Sequence, residues 1–175
     1  MKIHILFGMI GFILLSGCNR AAEKNPRFYD AGVSRELAGH RKAQIKNLKY
    51  ELSFNIPRQK EAAIEGDITL RFDLASRQEV LIDLREEREK IKDVIANGVP
   101  VDKVRFENEH IILPASSTVE GANGIRIRFT AGNQSLNRND EYLYTLLVPD
   151  RARTVFPCFE QPNLKAEFTL QLELP

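Results

Sequence analysis

The feature that most limits the fold is an alternation of apolar and polar residues with a period of two. In a first segment the apolar positions are Leu48, Tyr50, Leu52, Phe54 and Ile56. The pattern returns over residues 64–74, where Gly66 takes one inward position, and again over 80–84 and 125–129. Such alternation is typical of a β-strand with one buried and one solvated face. We therefore predict a strand in each segment.

Turn signals connect these segments and indicate further strands. Asn97-Gly98 is a strong two-residue hairpin signal, since both positions tolerate a positive φ. It predicts a hairpin between residues 93–95 and a return strand over 99–106. Further strands are predicted at residues 110–113, 142–148 and 168–174. About eight to ten short strands spaced by turns favour an all-β fold, a curled and mostly antiparallel β-sandwich.

One short helix is predicted before the strands. Ser34 is a suitable N-cap for a segment that runs to Gln44, with Leu37 and Ile45 on one side. Basic residues lie close together from the end of this helix onward, namely Arg41, Lys42, Lys46 and Lys49. A solvated helix face is the favoured interpretation of these charges, ahead of a contact with anionic lipid.

The start of the chain has the composition of an export signal. Met1-Lys2 is basic, residues 3–15 are almost entirely apolar, and small residues precede Cys18. Leu15–Cys18 resembles a bacterial lipobox, which implies acylation of Cys18 and cleavage before it. The alternative is an ordinary cleaved signal with an incidental cysteine, and the lipobox is favoured. We expect a signal peptide over residues 1–17, a flexible tether over 18–33 and an all-β domain over 34–175. The expected location is a cell membrane or outer membrane, facing the periplasm or the outside.

Composition excludes some classes of function. The 25 basic residues nearly balance the 24 acidic ones, so no nucleic-acid partner is indicated. Cys158 would be the one thiol left after lipidation of Cys18, which excludes an internal disulfide. Since the last predicted strand runs almost to Pro175, we expect more chain to follow.

The C-terminal third carries the most specific motifs. Residues 142–145 precede an Ala152-Arg153 pair, and a turn with the sequence Phe-Pro-Cys-Phe-Glu-Gln-Pro follows over residues 156–162. Lys165-Ala166 and the strand from Phe168 complete the pattern. Residues 45–175 thus resemble the saddle-like N-terminal domain of the aminopeptidase N family, which are gluzincin-type zinc exopeptidases. Glu160-Gln161-Pro162 stands where the family has Asp-Glu-Pro. The resemblance places Arg153, Phe156, Pro157, Cys158, Glu160, Gln161 and Pro162 near the interface with a catalytic domain.

The resemblance also implies where catalysis would occur. In that family a His-Glu-x-x-His helix in the next domain holds the zinc, and its glutamate activates the water. The present sequence has three histidines, His4, His40 and His110, and no such motif. We therefore predict no catalytic residue, no metal ligand and no cofactor in this chain, with zinc in the catalytic domain of a parent enzyme. In several members of that family, residues before the Ala-Arg pair help to bind the substrate amine, and those positions fall near Leu146 and Val148, whose side chains cannot accept a hydrogen bond from an ammonium group. Either the catalytic domain alone binds the amine or the alignment is offset, so no substrate-binding residue is assigned to this chain.

Some other side chains allow two interpretations. Cys158 and His110 could form a thiol nucleophile and its base, but a small buried cysteine is favoured. Glu160 could titrate beside Arg153 or Lys165, but a structural ion pair is favoured. Tyr142 and Tyr144 share one strand face, where packing against neighbours is favoured over an aromatic binding patch.

The predicted function follows from these motifs. We expect the non-catalytic N-terminal domain of a membrane-anchored, aminopeptidase N-like zinc metallopeptidase, which trims peptide N-termini outside the cytoplasm. Its partners would be the membrane, through Cys18, the missing catalytic domain and the parent's peptide substrates. The alternative is a free-standing surface lipoprotein that acts as a binding or scaffold module. An exposed apolar patch would favour the first function, and a polar surface there would favour the second.

Overall fold

The computed structural model describes residues 25–102 and 104–175. One α-helix, α1 (Arg35–Gln44), precedes the strands, and the Ser34 hydroxyl caps it by accepting a hydrogen bond from the Leu37 N–H. Eleven strands lie in the described residues: β1 (Ile45–Asn55), β2 (Glu65–Leu74), β3 (Val80–Asp83), β4 (Ile91–Ala96), β5 (Val99–Pro100), β6 (Arg105–Glu107), β7 (His110–Leu113), β8 (Gly121–Thr130), β9 (Leu136–Arg138), β10 (Leu143–Thr145) and β11 (Glu167–Glu173).

These strands form three sheets. The largest has six strands in the order β11-β1-β2-β8-β4-β5, the second is β3-β7-β6, and the third is the small hairpin β9-β10. Every pair is antiparallel except β1 with β11, which run parallel. The prediction of an all-β, mostly antiparallel fold after a short helix is confirmed.

One core joins the two larger sheets. The inward side chains of β1, β2 and β8 are those that the alternation identified, and Ile68, Leu70 and Ile127 are fully buried. Ile82 and Leu113 of the smaller sheet belong to the same cluster. The two sheets therefore enclose a single hydrophobic core, as expected when each has one apolar face.

The Asn97-Gly98 hairpin forms as predicted, with φ of 52° and 81° at its two residues. The return strand, however, is not continuous over 99–106. Only Val99–Pro100 pairs with β4, whereas Arg105–Glu107 pairs with β7 in the other sheet. The Val101 N–H still donates to the Val94 carbonyl at 2.9 Å, and the chain leaves the first sheet after this bond.

Residues 25–33, hereafter the N-terminal arm, are folded onto the domain. A short 3-10 helix spans Pro26–Tyr29, and Phe28 and Tyr29 pack against a small buried cluster of Leu37, Leu81 and Ile112. The prediction of a flexible tether over residues 18–33 is therefore wrong for its second half. Its first half, like the signal peptide and Cys18, lies outside the described residues. No helix in the part of the chain that the structure describes is long and apolar enough to cross a membrane.

Candidate functional site

The motif turn, defined as residues 153–162, lies between β10 and β11 and is anchored by aromatic side chains. The Phe156 ring packs edge-on against Phe54 of β1, with 6.4 Å between ring centroids. The Phe159 ring packs edge-on against Phe72 of β2 at 5.6 Å. Both phenylalanines and Pro157 are buried, so the turn closes one side of the core rather than extending into solvent.

Hydrogen bonds fix the turn to three other elements. Cys158 and Asp83 of β3 exchange two main-chain bonds, with N···O distances of 2.8 and 3.0 Å. The Phe159 N–H donates to the Tyr50 hydroxyl of β1 at 2.9 Å, and the Gln161 side-chain amide donates to the Ala38 carbonyl of α1 at 3.1 Å. The turn is thus a rigid junction between both sheets and the helix.

Arg153 and Glu160 are connected differently from the expected ion pair. The Glu160 carboxylate accepts a bond from the backbone N–H of Arg153 at 2.8 Å. The buried Arg153 guanidinium instead pairs with the carboxylates of Glu109 and Asp150. Burial raises the pKa of Glu160, and the hydrogen bond from Arg153 partly offsets that rise. Lys165, the other expected partner, has an exposed side chain.

Cys158 and His110 do not form a nucleophile and base. The polar partner of the Cys158 thiol is the Glu160 carboxylate, at 3.9 Å. Both ring nitrogens of His110 are within hydrogen-bond distance of other oxygens, on Asp83 and Asp30. Burial, followed by the charges of Glu160 and Asp83, raises the pKa of the Cys158 thiol well above its ordinary value. A thiol that stays protonated is a poor nucleophile, so the favoured interpretation as a small core residue is consistent with the structure.

Asp83 is the centre of a buried polar cluster beside the turn. Its fully buried carboxylate accepts two bonds from the Arg41 guanidinium, at 2.6 and 2.8 Å, and one from the His110 ring at 2.8 Å. The Glu160 N–H donates a fourth, at 2.8 Å. Burial alone raises the pKa of Asp83, but the positive Arg41 and the bonds from His110 and Arg41 outweigh it and lower that pKa. The cluster joins α1, β3, β7 and the motif turn.

Sequence reasoning missed this cluster. Arg41 was assigned to a solvated helix face, but it is buried. Its guanidinium carbon lies over the Phe159 ring, 5.1 Å from the ring centroid. A helical period cannot distinguish a buried arginine from an exposed one. The signal that could have found the site is Asp83 itself, a carboxylate within the apolar run of residues 80–84. A charge in a fully buried strand requires a partner.

A second feature is an uncovered apolar surface along β11. Phe168, Leu170, Leu172 and Leu174 occupy alternate positions along this segment, and each keeps 48–67% of its surface exposed. Between β11 and the β9-β10 hairpin lies a groove of about 420 Å³, hereafter the apolar groove. Its other walls come mainly from apolar residues, Leu52, Phe54, Ile64, Leu136, Leu143, Leu147, Val155 and Phe156 among them.

The segment around β10 corrects the prediction for the tyrosines. Tyr142 and Tyr144 were expected to pack against neighbours, but both are exposed and contact each other with 5.9 Å between ring centroids. Leu146 and Val148 are exposed as well. Four large side chains of residues 142–148 thus face solvent.

The metal chemistry of the described residues is limited. No group of three or more His, Cys, Asp or Glu side chains within residues 25–102 and 104–175 is arranged to hold a metal ion. The histidine of the buried cluster is saturated by oxygen partners. The residues present here therefore do not fit a zinc site.

Comparison with known proteins identifies relatives of this chain. The family described as Peptidase M1 N-terminal domain matches residues 46–175. An aminopeptidase N of Streptomyces lividans is 32% identical over 157 residues, which cover 82% of this chain and 18% of that protein. Leucine aminopeptidase 2 of Candida glabrata is 25% identical over 156 residues, covering 78% and 23%. The chain thus spans less than a quarter of the length of either relative.

Solved structures share the fold. An M1 zinc metallopeptidase from Deinococcus radiodurans aligns with a TM-score of 0.60 at 19% identity, over 74% of this chain and 32% of that one. Leukotriene A4 hydrolase from Saccharomyces cerevisiae aligns with a TM-score of 0.61 at 17% identity, over 88% and 26%. At these identities the likeness establishes the fold.

Proposed function

This chain belongs to the peptidase M1 N-terminal domain family, as its motifs predicted, and we propose that it is the non-catalytic N-terminal part of a membrane-anchored zinc aminopeptidase. In this role the domain packs on a catalytic domain of the same polypeptide and helps to form the wall of the active-site cleft. The parent enzyme removes residues from peptide N-termini outside the cytoplasm. The observation that carries the proposal is the uncovered apolar surface of β11.

The size and composition of that surface support a protein partner. Four alternate positions from Phe168 to Leu174 are apolar and exposed, and the groove beside them continues into Leu52 and Phe54. Soluble monomers seldom expose apolar patches of several hundred Å², and larger ones usually mark an interface. An edge strand with open main-chain groups also favours association. A catalytic domain that covers β11 would remove both the apolar side chains and the open main-chain groups of this strand from contact with water.

The zinc of the parent would be held outside the residues described here. The described part of the chain offers no cluster of three ligating side chains, and the buried cluster at Asp83 serves the fold. The contribution of this chain to catalysis would be indirect. It would position the catalytic domain and restrict access to the cleft.

Membrane anchoring is the part of the proposal that depends on sequence alone. Leu15–Cys18 resembles a lipobox, and two or more acyl chains on Cys18 would hold the protein stably at a membrane. In cells given labelled palmitate, the wild-type chain should take up label and sediment with membranes. The Cys18→Ser variant should do neither. Equal labelling of both proteins would remove lipidation from the proposal.

The first test of the function is the nucleotide sequence after the codon for Pro175. An in-frame continuation that encodes Gly-x-Met-Glu-Asn and His-Glu-x-x-His would support the parent enzyme. The full-length protein should then hydrolyse aminoacyl-p-nitroanilides, and a zinc chelator should abolish that activity. A stop codon at this point would overturn the proposal and leave the free-standing lipoprotein as the function to test.

A pair of variants on β11 tests the docking surface in the full-length protein. Leu170→Asp places a charge on the apolar side, whereas Thr169→Asp places it on the other side of the same strand. Loss of one buried leucine contact lowers stability by about 1.5–3 kcal/mol. Leu170→Asp should therefore lower the midpoint of thermal unfolding and the peptidase activity, while Thr169→Asp should not. Equal behaviour of the two variants would exclude this surface as the interface.

A further inference from the structure

The His110 side chain has an unusual environment because it is fully buried and both of its ring nitrogens face oxygen atoms. Nδ1 lies 2.8 Å from Oδ1 of Asp83 on β3. Nε2 lies 2.9 Å from the backbone carbonyl oxygen of Asp30 in the N-terminal arm. A carbonyl oxygen can only accept a hydrogen bond, so Nε2 must carry a proton.

The Asp83 carboxylate is saturated with donors. Oδ1 accepts from Arg41 Nη2 at 2.6 Å and faces His110, while Oδ2 accepts from Arg41 Nη1 and from the Glu160 N–H, both at 2.8 Å. Four donors thus surround the roughly four lone-pair positions of an ionised carboxylate. No position is left for a proton on Asp83. Nδ1 of His110 must therefore also be a donor.

We infer that His110 is a doubly protonated imidazolium that holds the N-terminal arm on the domain, and that loss of one ring proton loosens the arm. The charged ring makes two charge-assisted hydrogen bonds, which are about twice as strong as bonds between neutral groups. One of them ends on β3 and the other on the arm. His110 is thus a latch between the arm and the smaller sheet.

Other directional contacts also hold the arm. The Tyr29 hydroxyl donates to the Glu79 carboxylate at 2.5 Å, the Asn108 side chain donates to the Tyr29 carbonyl at 2.8 Å, and the exposed Arg27 pairs with Glu36 at 3.1 Å. Phe28 and Tyr29 supply the apolar packing. Against this background, the His110 bond to Asp30 is a buried connection that depends on one proton.

The direction of the pH effect follows from the charges around the ring. A neutral His110 would keep the proton on Nδ1, next to the negative Asp83, and its bare Nε2 would face the Asp30 carbonyl. The closed arm therefore binds one more proton than the open arm, and closure weakens as the pH rises. The titratable and charged groups that face or flank His110 are Asp83, Arg41, Cys158, Glu160 and, on the arm, Asp30. Next to it in the chain is Glu109, which pairs with Arg85 and Arg153.

A direct test is the ¹⁵N NMR spectrum of the histidine rings in the 175-residue chain at about pH 6, within the ordinary titration range of histidine. The His110 signals are assigned by their absence in His110→Gln. Both ring nitrogens should have the shifts of protonated imidazolium nitrogens. A bare, pyridine-like nitrogen on His110 would overturn the inference, whether or not the variant folds normally.

Hydrogen exchange tests the latch itself. Protection factors of the amides in residues 27–33, corrected for intrinsic exchange rates, are compared between about pH 6 and about pH 9. The arm should lose protection by about tenfold or more at the higher pH, since a bond to a charged group is lost. The amides of β2 and β8 should keep their protection. An arm whose protection is independent of pH would refute the latch.

A second histidine provides the matched control. His40 on α1 packs against Phe28 of the arm, with 4.8 Å between ring centroids, so it is the competing source of a pH effect. In His40→Gln the pH response of the arm should persist. In His110→Gln the response should disappear, with the arm open at both pH values. The reverse result would assign the effect to His40 and overturn the inference.

Discussion

Gly66 is the position where the structure allows the sharpest test of core packing. It lies inside β2, between Phe54 of β1 and Phe129 of β8 in the strand register. A Cβ at Gly66 would lie 2.3 Å from Cζ of Phe129 and within 2.8 Å of two further ring atoms. The Phe129 ring is fully buried and packs edge-on against Phe54, 6.0 Å away, so it has little room to move.

The expected cost of Gly66→Ala follows from this overlap. Ordinary van der Waals contact would require the ring to move by about 1 Å, and overpacking of a tight core costs about 1–3 kcal/mol. We therefore expect the free energy of unfolding to fall by about 2–3 kcal/mol. Urea unfolding at constant temperature, followed by far-UV circular dichroism, measures this change. Gly39→Ala is the matched control, because nothing lies within 4 Å of a Cβ at this helical position. It should stabilise the chain by about 0.5–1 kcal/mol.

A double-mutant cycle separates the clash from other effects of the new methyl group. Phe129→Leu removes the part of the ring that lies over Gly66 and should cost about 1–2 kcal/mol by itself. The double variant should lose less free energy of unfolding than the sum of the losses of the two single variants, by at least about 1 kcal/mol. The reason is that the smaller leucine side chain leaves space for the methyl group that Gly66→Ala adds. Additive costs within about 0.5 kcal/mol would refute the reasoning.

Three further predictions concern the buried cluster and the cysteine. Arg41→Ala should lower the free energy of unfolding by about 3–5 kcal/mol in urea titrations, since it leaves Asp83 buried without its main counter-charge. By comparison, the exposed ion pair of Arg71 with Glu51 should contribute under about 1 kcal/mol to stability in the same assay. Because the folded pKa of Asp83 is lowered, its contribution to stability should be complete above the ordinary aspartate pKa and should be lost as the pH falls through the folded value. The free energies of unfolding of wild type and Asp83→Asn, measured at decreasing pH, should therefore converge only at low pH. In Cys18→Ser, iodoacetamide should modify Cys158 only when the chain unfolds, and rapid labelling of the folded protein would contradict its burial and raised pKa.

The sequence predicted the parts of the fold that depend on neighbouring residues. Alternation located β1, β2 and β8, and the Asn97-Gly98 hairpin has the positive φ values that its residues favour. The β9-β10 hairpin was not predicted as a pair, because its strands have three residues each and too few positions for a period to appear. The parallel pairing of β11 with β1 joins residues more than a hundred positions apart, which no local pattern encodes.

The candidate site was harder to predict for a related reason. The motif turn was located by its residues, but its partners come from distant segments, Arg41 on α1 and Asp83 on β3. A buried charge is recognisable in sequence only when it interrupts an apolar run, as Asp83 does. Arg41 lies among other polar residues on a helix, so its burial depends on tertiary packing alone.

The same contacts show where the structural unit begins. The family match starts at residue 46, yet α1 supplies Arg41 to Asp83 and a backbone carbonyl at Ala38 to Gln161. Removal of α1 would leave the Asp83 carboxylate without its guanidinium and expose the aromatic ring of Phe159, on which Arg41 packs. The motif turn would then lose its support from one side. The helix before the family match is therefore part of the folded domain, and a variant that starts at residue 46 should unfold more readily than one that starts at residue 25.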